Sequence, residues 1–316
     1  MSGTPPPFFI VGAGRSGTTL LRLMLCGHEE LFVPPEAWFF GELVCNLPSV
    51  GPLDKEDLDE CARIILANER WKDWRCPEEK LERILGNCAG LGQAAVLDRI
   101  FRGAFDLPDG VRWGEKSPRH SYIVDRIGRL FPQSQFIHLI RDGRDVASSM
   151  LARGWFGANT RRVAEHWQSC VQGASRAAAF GPDRYMEVRF EALVENPEEQ
   201  IGRICRFLKI DFDRRMLSYQ DQIGKFIPSG ESAYHLKLNG NLNANEVGKW
   251  KSSLSAWQEA VFWSVAGGEM RRCYPDAQAR CTAGLLSPVA TPCALADRLL
   301  CVAISKFPVR TRSRPN

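Results

Sequence analysis

Short apolar runs alternate with amphipathic stretches along most of the chain. The runs at 8–11, 111–114, 134–140 and 184–188 predict buried strands. Leucines and methionine at 20–25 predict a helix with a wide apolar face directly after the first strand. Strands that alternate with helices in this way are typical of a three-layer α/β fold around a central parallel sheet. We predict one domain, residues 1–316, with its core over about 8–260.

Two segments depart from this alternation. Apolar residues spaced three and four apart at 54–68 and 77–85 predict a helical insertion over about 52–106, which either shapes one side of a ligand site or only packs. A helical tail is expected at about 285–316. Its apolar stretch at 294–304 is broken by two charged residues and is too short to span a bilayer. A packing helix is therefore predicted there, and no transmembrane segment.

A glycine-rich turn joins the first strand to the first helix and reads Gly12-Ala-Gly-Arg-Ser-Gly-Thr-Thr19. Glycines let a backbone turn its N–H groups toward a ligand, and a helix N-terminus adds a partial positive charge. The arrangement predicts a site for an anionic phosphate. The alternative, a plain strand-to-helix turn, is disfavoured because arginine, serine and two threonines stand among the glycines.

The turn can be compared with the nucleotide-binding pattern G-x-x-x-x-G-K-[ST]. Gly12, Gly17 and Thr19 fit it, but Thr18 stands where the pattern has lysine. That lysine reaches the terminal phosphates of a nucleoside triphosphate. Arg15 instead supplies a cation from inside the loop, so we predict a P-loop-like fold that binds an anion other than Mg-triphosphate.

A second polar cluster follows the strand at 134–140. Arg141 comes at its end, Ser149 eight residues later, and Arg153 one helical turn beyond. Two guanidinium groups and a hydroxyl suit a phosphate monoester. The alternative is a salt-bridged helix start, with Asp142 and Asp145 pairing Arg141 and Arg144.

Composition narrows the function classes only a little. The net charge of +4 suits an anionic ligand and gives no indication of nucleic-acid binding. The eleven cysteines are scattered and form no C-x-x-C pair, which argues against a zinc site and is typical of reduced thiols. Residues 1–7 carry no charged or apolar leader pattern. We therefore expect a cytoplasmic protein without a signal anchor.

The segment Arg15–Thr19 resembles the 5′-phosphosulfate loop of the sulfotransferases, and the form GRSGTTL is similar to the branch that contains tyrosylprotein sulfotransferases and many bacterial members. The resemblance covers about residues 8–260. It implies transfer of a sulfonate group from 3′-phosphoadenylyl sulfate (PAPS). The product would be the 3′,5′-bisphosphate of adenosine (PAP), and no metal would take part. The acceptor would be a hydroxyl or amine of a small molecule, a sugar or a peptide.

The resemblance also implies roles for the donor-binding residues. The loop would bind the 5′-phosphosulfate, and the cluster after the strand at 134–140 would bind the 3′-phosphate. Phe190 would lie near the adenine in place of a common tyrosine. A polar loop at 221–250 would close over the nucleotide and contact it through Ser232 and Lys249. Ser229 or Lys237 would be the alternative contacts. The implied donor-binding residues are Arg15, Ser16, Gly17, Thr18, Thr19, Arg141, Ser149, Arg153, Phe190, Ser232 and Lys249.

The implied catalytic residues are Glu36, Lys116 and Arg15. Glu36 follows two prolines beside three aromatic residues, where partial desolvation is expected to raise its pKa and make it a better base. On sequence alone a helix N-terminal carboxylate is the alternative. Lys116, in a K-x-P turn, would contact the sulfonate and bridging oxygens. Pro118 occupies the position of the catalytic histidine of cytosolic sulfotransferases, and His120, nearby but off register, is the competing base.

Two other functions are alternatives to sulfonate transfer. A P-loop phosphotransferase or NTPase needs a loop lysine and a strand-end carboxylate, and Thr18 and Arg141 stand in those places. A non-catalytic nucleotide-binding protein would have no need for Glu36 together with Lys116.

Overall fold

A computed structural model of the chain describes residues 4–223 and 246–279. Five parallel strands form one sheet in the order β2-β3-β1-β4-β5. The strands are β1 (Phe8–Val11), β2 (Leu31–Phe32), β3 (Arg112–Lys116), β4 (Gln135–Ile140) and β5 (Tyr185–Arg189). The four predicted strands and the parallel sheet are confirmed. Strand β2 was missed because two residues are too short to carry a periodic pattern.

Helices flank the sheet and fill the long connection between β2 and β3. The α-helices are α1 (Thr18–Leu25), α2 (Trp38–Asn46), α3 (Lys55–Ala67), α4 (Glu78–Gly86), α5 (Gln93–Ala104), α6 (Val124–Leu130), α7 (Gly143–Leu151), α8 (Thr160–Ser175), α9 (Phe190–Glu195), α10 (Pro197–Leu208), α11 (Trp250–Ser253) and α12 (Ala256–Cys273). Short 3-10 turns lie at Trp71–Trp74, Pro118–Tyr122, Trp155–Ala158, Arg176–Phe180, Arg214–Leu217 and Tyr219–Gln222.

The side chains of β1 divide the core into two sides. Phe9 and Val11 pack with the helices of the β2–β3 connection and with α6. Phe8 and Ile10 point the other way and pack with α1, α9 and α10. Successive side chains of a strand face opposite sides of a sheet, so this division places a helical layer on each face. The predicted three-layer arrangement is confirmed.

The predicted helical insertion is present between β2 and β3. Helix α3 begins where the pattern predicted, with Asp54 as its N-cap in a capping box with Asp57. An aromatic cluster joins the insertion to the sheet: Phe101 stacks on Trp113 of β3 at 4.1 Å between ring centroids. Trp74 donates its indole N–H to the Pro35 carbonyl at 3.1 Å. The insertion thus supports the segment that contains Glu36, while a role toward an acceptor stays a prediction.

The carboxyl ends of β1, β3 and β4 meet at one edge of the sheet, as the register Ile10↔Lys116 and Val11↔His138 shows. Ligands of open parallel sheets bind at such an edge. Ser232, its substitutes Ser229 and Lys237, and the tail at 285–316 lie outside the described residues. Among the helices described, none combines the length and apolar character needed to cross a bilayer.

Candidate functional site

The loop after β1 has a backbone that requires glycine at two positions. Gly12 and Gly17 have φ values of +145° and +91°, and a Cβ on Gly12 would lie 2.3 Å from the Leu139 carbonyl oxygen. Arg15 also has positive φ, +68°. Helix α1 begins at Thr18, directly after Gly17. The turn therefore wraps around the N-terminus of α1, as expected for an anion-binding loop.

Replacing Gly12 by alanine should lower the free energy of unfolding by at least about 2 kcal/mol, because the new Cβ meets a backbone oxygen of β4 in a conformation unfavourable for alanine. Gly14→Ala is the matched control, since its Cβ would make ordinary contacts at 3.5 Å or more. Urea denaturation of the two variants measures the difference. Equal stabilities would contradict the loop geometry.

Three predicted arginines converge beside this loop. The Arg15 Nε and one Arg153 Nη donate to the Ser149 hydroxyl, each at 3.3 Å. Arg141 donates to the Arg15 carbonyl at 3.1 Å. Burial, followed by the charges of Arg153 and Arg141, lowers the pKa of Arg15 to about 10, against an opposing effect of Glu246. Such crowding of like charges would be relieved by a bound anion.

Two buried polar atoms in this cluster lack a hydrogen-bond partner within the described residues: the Ser16 hydroxyl and the Arg141 Nε. Both groups are able to donate a hydrogen bond to a phosphate oxygen. The residues present therefore fit a phosphate-bearing ligand. The salt-bridged alternative is met for one of its two carboxylates. Asp142 pairs with Arg144 at 2.8 Å, and Asp145 accepts the backbone N–H groups of Gly248 and Trp250.

Lys249 and Phe190 also lie near Arg141. Arg141 donates to the Glu246 carbonyl at 2.6 Å, and Lys249 pairs with the carboxylate of the same residue. Phe190 is buried against Gly17, and the Arg141 guanidinium lies 4.5 Å from its ring centroid. Contacts of Lys249 and Phe190 with a donor nucleotide stay predictions.

The predicted catalytic pair meets on the opposite side of the loop. Lys116, at the end of β3, donates to the Thr19 hydroxyl at 3.3 Å and forms an ion pair with the Glu36 carboxylate. The Lys116 side chain is 3% exposed and that of Glu36 is 19% exposed. The Lys116 ammonium group therefore links the glycine-rich anion loop, residues 12–19, to the Glu36 carboxylate, which is partly exposed to solvent.

The expected rise in the pKa of Glu36 is wrong. Burial does raise the pKa of Glu36, but three neighbours lower it by more. They are Lys116, through its charge and its hydrogen bond, Trp38, through its indole N–H, and Arg70, through its charge. The net result is a pKa below the usual range of a glutamate. The carboxylate is thus ionised at neutral pH and is able to accept a proton. Trp38 and Arg70 were not singled out from the sequence, although Trp38 was visible as one of the flanking aromatics.

His120 lies behind this segment and is only 2% exposed. Its Nδ1 contacts the buried carboxylate of Glu115, which also accepts the Ala37 N–H at 3.3 Å. The His120 Nε2 has no hydrogen-bond partner within the part of the chain that the structure describes. Glu115 was also missed, because a carboxylate inside a strand has no pattern that distinguishes it from a surface residue.

Within residues 4–223 and 246–279, no three His, Cys, Asp or Glu residues are grouped so as to hold a metal ion. The cationic groups identified at the site are side chains of arginine and lysine.

Comparison with known proteins shows which proteins the chain resembles. A model of the sulfotransferase family matches residues 6–214. Protein-tyrosine sulfotransferase A of Caenorhabditis elegans is 28% identical over 242 residues, which cover 71% of this chain and 55% of that protein. A putative protein-tyrosine sulfotransferase of Caenorhabditis briggsae is 25% identical over 85% of this chain and 91% of its own length.

The structural comparison supports the fold. The sulfotransferase domain of the Synechococcus PCC 7002 olefin synthase superposes with a TM-score of 0.63 at 22% identity, covering 85% of this chain and 96% of that domain. The chain spans little more than half the length of several curated relatives, including 58% of protein-tyrosine sulfotransferase 1 of Danio rerio.

The expected cytoplasmic location is wrong. The finding that overturns it is the set of matched animal relatives that are named protein-tyrosine sulfotransferases. The expectation rested on scattered cysteines and on the residues at the start of the sequence. Both features are indirect indications of the compartment, and the relatives named above outweigh them.

Proposed function

The chain belongs to the sulfotransferase family, and on this premise we propose that it transfers a sulfonate group from PAPS to an acceptor hydroxyl or amine. The observation that carries the proposal is the contact of Lys116 with both Thr19 of the anion loop and the Glu36 carboxylate. It joins a group that stabilises negative charge to a group that accepts a proton, and both assist sulfonate transfer to a hydroxyl that is protonated at neutral pH.

The donor would be held at two phosphate-binding positions. The loop from Arg15 to Thr19 and Lys116 would surround its 5′-phosphosulfate, and Arg141, Ser149 and Arg153 its 3′-phosphate. The donor supplies the sulfonate group. Arg15 and Lys116 stabilise the negative charge that builds up on the bridging and sulfonate oxygens as the group leaves.

Glu36 takes the acceptor proton in this proposal. A hydroxyl is a weak nucleophile until its proton is removed, and the Glu36 carboxylate is ionised and partly open to solvent. Its ion pair with Lys116 keeps it ionised and fixes it at the loop. The named relatives make the phenolic hydroxyl of a peptide tyrosine the first acceptor to test.

His120 is the second candidate for the base. A carboxylate at Nδ1 and an unpartnered Nε2 are the arrangement of a general-base histidine. Its burial argues against this role, because an acceptor must reach the base and the His120 side chain is 2% exposed. Glu36 therefore remains our proposal.

Titration calorimetry tests donor recognition. PAP should bind in the nanomolar to micromolar range in the presence of a chelator, because the charges that would hold it belong to side chains. Inorganic sulfate at equal concentration is the control for a site that takes any anion. PAP binding no tighter than sulfate binding would contradict the proposal.

We also expect no ATP hydrolysis above background when Mg²⁺ is present. Thr18 stands where a P-loop lysine would contact the terminal phosphates, and its side chain is buried in the first turn of α1. Phosphate release is the measurement. A Mg²⁺-dependent rate that is lost in Thr19→Ala would favour the NTPase function instead.

A further inference from the structure

Trp38 lies two residues after Glu36, at the start of α2, and contacts it directly. The Trp38 indole N–H donates to the Glu36 Oε2 at 2.7 Å, while Lys116 occupies the other carboxylate oxygen. Each oxygen of the carboxylate therefore has its own donor. A carboxylate held at both oxygens has lost the freedom to rotate, and its orientation depends on both partners.

Two guanidinium groups contact the ring of Trp38. The Arg70 guanidinium lies 4.3 Å from the ring centroid and the Arg119 guanidinium 4.0 Å from it. Arg70 is anchored by an ion pair with Asp73 at 3.1 Å. The two arginines come from separate elements, one before the turn at 71–74 and one in the turn at 118–122. Cation–π contacts of this kind restrict the ring of a half-buried tryptophan.

We propose that Trp38 is a positioning residue for the transfer reaction: clamped by Arg70 and Arg119, it orients the Glu36 carboxylate toward the acceptor through its indole N–H. The inference rests on the proposed function, since it concerns the proposed base. Three elements bring charge to Glu36: β3 through Lys116, the insertion through Arg70, and the 118–122 turn through Arg119, which acts by way of the Trp38 ring.

The test is the pH dependence of kcat in Trp38→Phe. Phenylalanine keeps an aromatic ring but has no N–H, so the ionised form of Glu36 loses one hydrogen bond and its pKa rises. Because the base must be ionised, the acidic limb of the profile should move to higher pH by about one unit. On the alkaline plateau kcat should fall several-fold, while the KM for PAPS stays within about twofold of wild type. Arg119→Gln should give a smaller shift in the same direction.

Trp74→Phe is the matched control. It also removes an indole N–H from the Glu36 segment, but that N–H donates to the Pro35 carbonyl and not to the carboxylate. The variant should lose stability and leave the acidic limb in place. An unmoved limb in Trp38→Phe, with wild-type transfer intact, would overturn the positioning role and leave the proposed function standing.

A second measurement does not depend on activity. In wild-type protein labelled with nitrogen-15 at tryptophan, the indole resonance that is missing in Trp38→Phe should shift as Glu36 is protonated. In Glu36→Gln the same resonance should no longer shift over that pH range. A Trp38 resonance that is insensitive to pH in the wild type would contradict the contact. If the wild type transfers no sulfonate at all, the proposed function fails, and this resonance alone decides whether Trp38 holds Glu36.

Discussion

Glu36→Gln should lower turnover by roughly 10²–10⁴, the usual scale of general-base catalysis, at saturating PAPS and acceptor. Glutamine keeps the shape of the side chain but cannot accept a proton. Its single amide oxygen accepts a hydrogen bond from Lys116 or from Trp38, not from both. PAP affinity should stay near the wild-type value. Because the pKa of Glu36 is held below its usual range, wild-type turnover should persist at neutral pH and decline only in acid.

His120→Ala, assayed beside it, decides which residue is the base. We expect a loss of stability and a modest fall in turnover, because His120 supports Glu115, and Glu115 holds the Ala37 N–H. If His120→Ala abolishes turnover while Glu36→Gln retains it, the base is misassigned. If both variants turn over normally, the acceptor ionises without a base, as an acidic phenol does.

Arg141→Ala should weaken PAP binding by roughly 10- to 150-fold, since a hydrogen bond to a charged group contributes about 1.5–3 kcal/mol. The guanidinium is buried beside Arg15 and has an unpartnered Nε in the described part of the chain. Titration calorimetry with PAP measures the loss. Arg141→Lys should recover only part of it, because an ammonium group cannot form two parallel bonds with a phosphate.

The control for Arg141 is Arg161→Ala on α8. Arg161 is a surface residue that pairs with Glu165 and lies outside the cluster of three arginines. Both variants remove one positive charge, so a general effect of net charge would appear equally in each. Unchanged PAP affinity in Arg141→Ala, in protein that melts normally without ligand, would refute the phosphate site.

The loop and the arginine cluster could be predicted because each is local in sequence. The turn is one continuous segment, and Arg141, Ser149 and Arg153 lie on one strand end and the following helix. Parallel strands bring their carboxyl ends to one edge, so finding the two motifs after β1 and β4 was enough to place them together. The same reasoning placed Lys116 at the end of β3.

The environment of Glu36 could not be predicted in the same way. Its flanking aromatics indicated desolvation, but Lys116 and Arg70 come from other parts of the chain. Together with the indole N–H of the neighbouring Trp38 they lower its pKa. The Glu115–His120 pair was missed for a related reason. Burial of a carboxylate within a strand depends on what packs over it, here α2 and the turn at 118–122, and neither is visible in the spacing of residues along β3.

Single-turnover transfer from PAPS tests the central claim most directly. Excess protein would be mixed with sulfur-labelled PAPS, a chelator and, in separate reactions, a tyrosine peptide, a simple phenol, a sugar alcohol and an amine. We predict that label appears on at least one acceptor in an amount equal to the PAP formed, and that Glu36→Gln slows this step. PAPS that stays bound and unconverted with every acceptor, or that yields only inorganic sulfate, would contradict the account.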